Sequence, residues 1–197
     1  AKVVITPLLA DAIVEGEVMD PGIVTDAIRS AVEQAGIKTK DVVTAVGGRD
    51  VIIKKIQIER VKEQQARELM RWEAEQHVPF DMESVELDFQ ILDPEGDGME
   101  MSVLLVAAKR DLIETKMRLL TDAGMQTAIV DVDAFALHNA FELNHPDAMS
   151  GVVGLINIGA RYSSINIVKG GTSSTTGDVQ AGGGEITDAL VKGIGLS

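Results

Sequence analysis

Cysteine is absent from the 197 residues, which excludes a disulfide framework, a thiolate zinc site and a thiol nucleophile and suits a reducing cytosol. Aromatic residues make up only 3%, with one Trp, one Tyr and four Phe. The core must therefore be built from Val, Ile, Leu, Met and Ala, the first two favouring strands and the last three helices. Positive charge is in deficit: 18 Lys and Arg against 31 Asp and Glu give a formal net charge of −13. Without a basic cluster such a surface repels nucleic-acid phosphates and anionic lipid, so nucleic acid is excluded as a partner, and membrane association has to run through a protein partner or a local patch. No apolar run approaches the roughly 20 residues of a membrane span. The opening Ala1-Lys2-Val3-Val4-Ile5 lacks the layout of a signal peptide, and the missing initiator Met reads as a processed or cut segment.

What is present is material for folding: 45% of the chain is hydrophobic and mean hydropathy is +0.13, values outside the disordered class. The pattern predicts a short β-branched run at Lys2–Thr6 and an extended piece at Ile13–Val18. A turn is expected at Asp20-Pro21-Gly22, followed by a helix from Ile23 to Ala35 stopped by Gly36. Asp41–Val46 and Thr127–Val132 read as strands buried on both faces, each calling for parallel neighbours that the 197 residues do not supply. Between them come a strand at Val51–Ile58, a helix at Glu59–His77 and a hairpin of Val85–Leu92 with Met101–Ala108. A helix capped by Asp111 and closed by Gly124 completes this middle region. After a helix at Asp133–Asn144, the stretches Val152–Ile158, Ser163–Val168 and Thr172–Val179 read as a β-meander feeding a helix from Glu185.

Two glycine loops are candidate anion sites. The Asn157-Ile158-Gly159-Ala160 turn could bring backbone N–H groups and the hydroxyls of Ser163 and Ser164 to a phosphate, or be an ordinary hairpin turn. The run Gly182-Gly183-Gly184 precedes a helix, where free N–H groups and the positive dipole end favour an anion, though Glu185 opposes one and a plain turn reads equally well. Trp72-Glu73-Ala74-Glu75-Gln76-His77-Val78-Pro79-Phe80 is the most distinctive string. Helical spacing puts Glu73 in the middle of a stripe of Ala66, Leu69, Met70 and His77, with Trp72 at its edge, an arrangement that either braces the fold or anchors a partner. The three histidines, His77, His138 and His145, lack metalloprotease spacing, and no GxSxG, Walker A or dinucleotide fingerprint occurs. No catalytic residue and no metal ligand is assigned, and the chain is not expected to be an enzyme.

Together these strings resemble the PilM family of the bacterial type IV pilus assembly platform, itself similar to the cell-division protein FtsA. The matching segments include Val42–Gly48, the Trp72–Phe80 string, Val106-Ala107-Ala108, Ala123-Gly124-Met125, Val130–Asp133 and the Asn157–Ala160 loop. The resemblance implies an α/β actin-like (RNase H-like) fold with an FtsA-type 1C insertion, present as an incomplete fragment lacking the N-terminal strands and most of the second lobe. Subdomain 1A would cover residues 1–50, the 1C insertion 51–126, a return to 1A 127–150 and the start of subdomain 2A 151–197. It implies a cytoplasmic scaffold, peripheral to the inner membrane, that binds the tail of a PilN-like membrane protein through Trp72, Glu73 and Phe80. Pilus motor and platform proteins would be further partners, and open sheet edges would favour self-association. ATP and Mg²⁺ would be ligands of the full-length protein at Asn157, Gly159, Ser163, Ser164 and Gly183, with none held by this fragment. The family's second phosphate loop reads Asp-x-Gly-x-x-x-Thr/Ser. Gly159 and Ser163 match it, but Asn157 holds the acidic position and cannot supply a negative charge to a metal-bound water network, which counts against hydrolysis. The competing readings are an actin-fold ATPase or phosphotransferase and a type II secretion assembly protein.

Overall fold

The computed structural model describes residues 2–9, 11–14 and 16–195. Glu15, inside the expected extended piece, and Ala1, Leu196 and Ser197, at the ends of the expected 1A and 2A stretches, lie outside the described residues. In chain order the elements are β1 (Ile13–Val14), β2 (Glu17–Val18), α1 (Pro21–Ala35), β3 (Asp41–Val46), β4 (Val51–Glu59) and α2 (Glu63–His77). Next come β5 (Val85–Ile91), β6 (Glu100–Lys109), α3 (Arg110–Asp122), β7 (Gln126–Val132) and α4 (Asp133–Asn144). The last are β8 (Val152–Ile158), β9 (Ser163–Lys169), β10 (Thr172–Val179) and α5 (Gly183–Ile194). They fall into two compact units, Ala1–Ala45 with Asp111–Asp131, and Val46–Arg110 with Val132–Ser197.

In the first unit Lys2–Thr6 forms no strand, since no neighbouring strand pairs with it, and β1 and β2 make a minimal hairpin around Gly16 at φ +89°. The expected turn at Asp20 is instead the start of α1. The Asp20 carboxylate accepts the Ile23 N–H at 3.0 Å and Pro21 occupies the first turn, where its missing N–H costs nothing. Gly36, at φ +65°, ends the helix in the left-handed conformation. Ala12, Val24 and Leu119 make the small core of this unit. β3 and β7 pair with each other. The expectation of strands buried on both faces fails here: Val43 is 64% and Ile129 57% exposed, because a two-stranded sheet covers little of its own surface. α3 begins at Arg110, so Asp111 sits in its first turn rather than capping it.

The second unit holds two sheets. β6 is the central strand of one, antiparallel to β4 on one side and β5 on the other, with Ile56 opposite Val103 and Phe89 opposite Leu105. The face carrying Met101, Val103, Leu105 and Ala107 is covered by Ala66, Met70 and Ala74 of α2, all at most 2% exposed. The helix starts at Glu63 and not at Glu59, because Glu59 still pairs with Glu100 in the sheet and Arg60 is held by the loop that follows β5. Arg60 donates to the carbonyls of Gly98, Asp93 and Glu100 and to the Asp93 carboxylate at 2.9 Å, and Asp93 also accepts the Ser102 N–H at 2.8 Å. Those bonds, the one from Ser102 first, hold the Asp93 carboxyl below its ordinary value of 3.8. β8, β9 and β10 form an antiparallel meander with β9 central, and α4 packs on β9, where Asn166 donates to the Ala134 carbonyl at 3.2 Å.

Candidate functional site

Two regions of the second unit carry the candidate residues. The first is a groove along α2. Its buried stripe is Ala66, Met70 and Ala74, and this places the flanking residues. At 100° per residue, Arg67, Arg71 and Glu75 lie on one side of the stripe, Leu69 and Glu73 on the other, and Trp72 almost opposite Met70, on the back of the helix. The first flank faces two adjoining clefts. One, of about 590 Å³, runs between α2 and β5 and is lined by Arg67, Met70, Arg71, Met82, Leu87 and Phe89 among others. The next is bounded by Arg71, Glu75, Phe80, Met82 and Glu83. Arg67 stacks over the Phe89 ring at 5.7 Å, and Lys109, paired with Asp50 at 2.7 Å, lies 4.9 Å from the Phe80 ring centre.

The structure thus brings Phe80 to the groove but not Trp72 or Glu73. Trp72 is 70% exposed, and Glu73 is half-buried at the edge of the stripe, whose centre is near Met70, with His77 exposed as well. The sequence periodicity misplaced Glu73 because it counted Leu69 and His77 as stripe residues, whereas Ala74 is the one that packs.

The second region gathers the glycine loops, which form a single structure. Gly183 N–H donates to the Gly159 carbonyl and Gly184 N–H to the Ala160 carbonyl, each at 2.8 Å, so the hairpin carbonyls cap the first turn of α5. Ser163 Oγ donates to the Ala181 carbonyl at 2.6 Å. A Cβ on Gly182 would lie 2.6 Å from the Gly159 oxygen, which is why glycine is required there. Ser164 on β9 stands in register between Asn157 on β8 and Asp178 on β10.

Asp178, missed in the sequence, changes the electrostatics of this row. Burial and then the Asp133 charge raise its carboxyl above the ordinary value, and burial with the Asp133 and Asp178 charges raises the Tyr162 phenol. The Gly183 N–H, the Gly184 N–H and the Ser163 hydroxyl are already engaged, and the Asp133 and Asp178 carboxylates act on Tyr162 in a loop that also carries the cation Arg161. These residues do not make a phosphate cradle by themselves. No cluster of metal-ligating side chains occurs among the described residues.

This arrangement, an antiparallel meander capped onto a helix with a three-stranded sheet and helix inserted earlier in the chain, is that of an actin-like α/β protein. The profile of the type IV pilus assembly protein PilM matches residues 1–197, and the chain belongs to that family. A solved PilM-PilN type IV pilus biogenesis complex superposes with a TM-score of 0.86 at 26% identity, covering 97% of this chain and 57% of that one. The chain thus spans little over half the length of that relative. The cytoplasmic domain of EpsL, an inner membrane component of the type II secretion system of Vibrio cholerae, matches at TM-score 0.51 and 13% identity over 79% of this chain and 56% of that one. Ethanolamine utilization protein EutJ from Carboxydothermus hydrogenoformans matches at 0.52 and 14% over 95% and 47%. At these identities the last two share the fold alone. No helix among the described residues is long and apolar enough to cross a membrane.

Proposed function

We propose that the chain is part of a cytoplasmic scaffold of the type IV pilus inner-membrane assembly complex. Its work is to bind the cytoplasmic tail of a PilN-like membrane protein and so to join that protein to the platform and its motors. The observation that carries this reading is the likeness to a PilM-PilN complex over 97% of the chain. Membrane attachment would then be peripheral, through the partner, in keeping with a surface of net charge −13.

The tail would meet Trp72, Glu73 and Phe80. An exposed indole is an available anchor of the kind that dominates peptide binding. The role is structural and not enzymatic: Asn157 stands where the family loop carries an acid, and the α5 N–H groups are spent on the hairpin. ATP with Mg²⁺ would order the longer protein, using Asn157, Gly159, Ser163, Ser164 and Gly183 to line the site without supplying chemistry. Titration of a fluorescently labelled PilN-like tail should give saturable binding that weakens for Trp72→Ala, and no saturable binding would overturn the reading. Calorimetry of this chain with ATP and Mg²⁺ should show no saturable heat, and ATP turnover should stay at background.

A further inference from the structure

The inserted sheet ends in an open edge at β5, beside the cleft described above. Hydrogen bonds fix which backbone groups face outward. The Leu92 N–H bonds inward to the Ser102 carbonyl at 2.8 Å, so alternation turns the N–H and C=O of Val85, Leu87, Phe89 and Ile91 away from β6. Two of these groups are occupied within the fold. The Phe89 N–H donates to the Asp88 carboxylate at 2.9 Å, and the Val85 carbonyl accepts from Arg110 at 3.5 Å. Between them the N–H and C=O of Leu87 form an open strand-pairing unit.

We infer that this edge accepts an added strand: an extended peptide with apolar side chains on the α2 face and basic side chains on the other. On the α2 face an added strand would lay alternate residues against Met70, Met82, Leu87 and Phe89. On the opposite face it would stand beside Glu86 and Asp88, both exposed. Glu86 is held by Arg110 at 2.8 Å, and Asp88 spends one oxygen on the Phe89 N–H, so the neighbouring position calls for a cation. The same charges exclude a second copy of this chain as the occupant, because antiparallel β5–β5 pairing about Leu87 would set Glu86 against Asp88 of the other copy. The net charge of −13 adds long-range attraction for a basic segment. This surface goes beyond the tail-binding reading, since the cleft beside β5 is lined by none of Trp72, Glu73 and Phe80.

The probe is a short capped peptide alternating lysine and valine, titrated into the full 197-residue chain and followed by amide hydrogen exchange. Binding should protect the Leu87 amide, and Asp88→Lys should weaken it by about tenfold or more. The lysine-to-glutamate version of the peptide should bind Asp88→Lys better than the unmodified chain. Leu87→Pro should abolish addition, since an outward N–H on an edge strand contributes no ladder bond. The exchange readout needs no variant, so a folding failure of Leu87→Pro leaves the test intact. Binding without protection of Leu87, absence of saturable binding, or protection that appears on raising the protein concentration alone would each overturn the inference.

Discussion

The Gly183 N–H meets the Gly159 carbonyl at 2.8 Å, joining two loops that lie 24 positions apart and that the sequence presents as separate anion sites. Because Gly182 lies between those bonds and the hairpin backbone, it has no room for a side chain. Gly182→Ala would drive its Cβ into the Gly159 and Ala160 carbonyl oxygens, at 2.6 and 2.7 Å, and backbone cannot rotate away. We expect a loss of about 1–3 kcal/mol in urea denaturation. Gly177→Ala on β10 is the control: nothing lies within 4 Å of its Cβ, so the cost should be a fraction of that.

The pH dependence of stability should carry two opposite carboxylate contributions. The folded Asp93 carboxyl lies below its ordinary value of 3.8, so its contribution is complete at neutral pH and is lost as pH falls through that lowered value. Asp178 is raised by burial and by Asp133, so it opposes folding at neutral pH and the penalty vanishes as it protonates on acidification. Asp93→Asn should therefore lower stability at neutral pH and flatten the acid limb. Asp178→Asn should raise stability at neutral pH and change nothing well below pH 3.8. Denaturation midpoints at the two extremes decide both, and a loss of neutral stability in Asp178→Asn would contradict the second.

Much of this was legible in the sequence, for identifiable reasons. Local signals placed α4 at Asp133–Asn144, the β5–β6 hairpin and the β8–β9–β10 meander, since turn residues and alternation act over a few positions. The family strings carried the actin-like class. What could not be read were relations across long separations: the capping of α5 by the Gly159 loop, the in-register placing of Asp178 beside Ser164, and the Arg60 bonds to Asp93 and Gly98. His138 and Asn166 belong to the same group. Both are buried between α4 and the meander, with Ser173 Oγ 3.4 Å from His138 Nδ1, whereas the sequence offered only a histidine without metal spacing. Helix phase was the other failure. Glu73 and Ala74 differ by one position, and only packing decides which turns inward.

Stability and binding should separate cleanly at α2. Leu105 is fully buried beneath the helix, and Leu105→Ala should cost about 2–5 kcal/mol through lost packing and the cavity left behind. Trp72 is 70% exposed, so Trp72→Ala should stay within about 0.5 kcal/mol of the parent in the same denaturation assay. Any fall in affinity for a PilN-like tail in that variant then reports contact and not unfolding. A large stability loss for Trp72→Ala would mean that the indole is covered in solution.

Self-association should run through the first unit. Among the described residues β3 and β7 form a two-stranded sheet, and Val43 and Ile129 leave apolar surface open on it. An open edge with β-branched side chains templates pairing with another chain, and a lysine there is the usual way of preventing it. Sedimentation at rising concentration should show a dimer or larger species, and Ile129→Lys should weaken it by about tenfold or more, the equivalent of about 1.4 kcal/mol. Because Ile129 is mostly exposed, the substitution should leave the unfolding midpoint nearly unchanged, so a shift in association is not a by-product of instability. A species that is monomeric throughout, or an association that ignores Ile129→Lys and Val43→Lys alike, would place the apolar contact elsewhere.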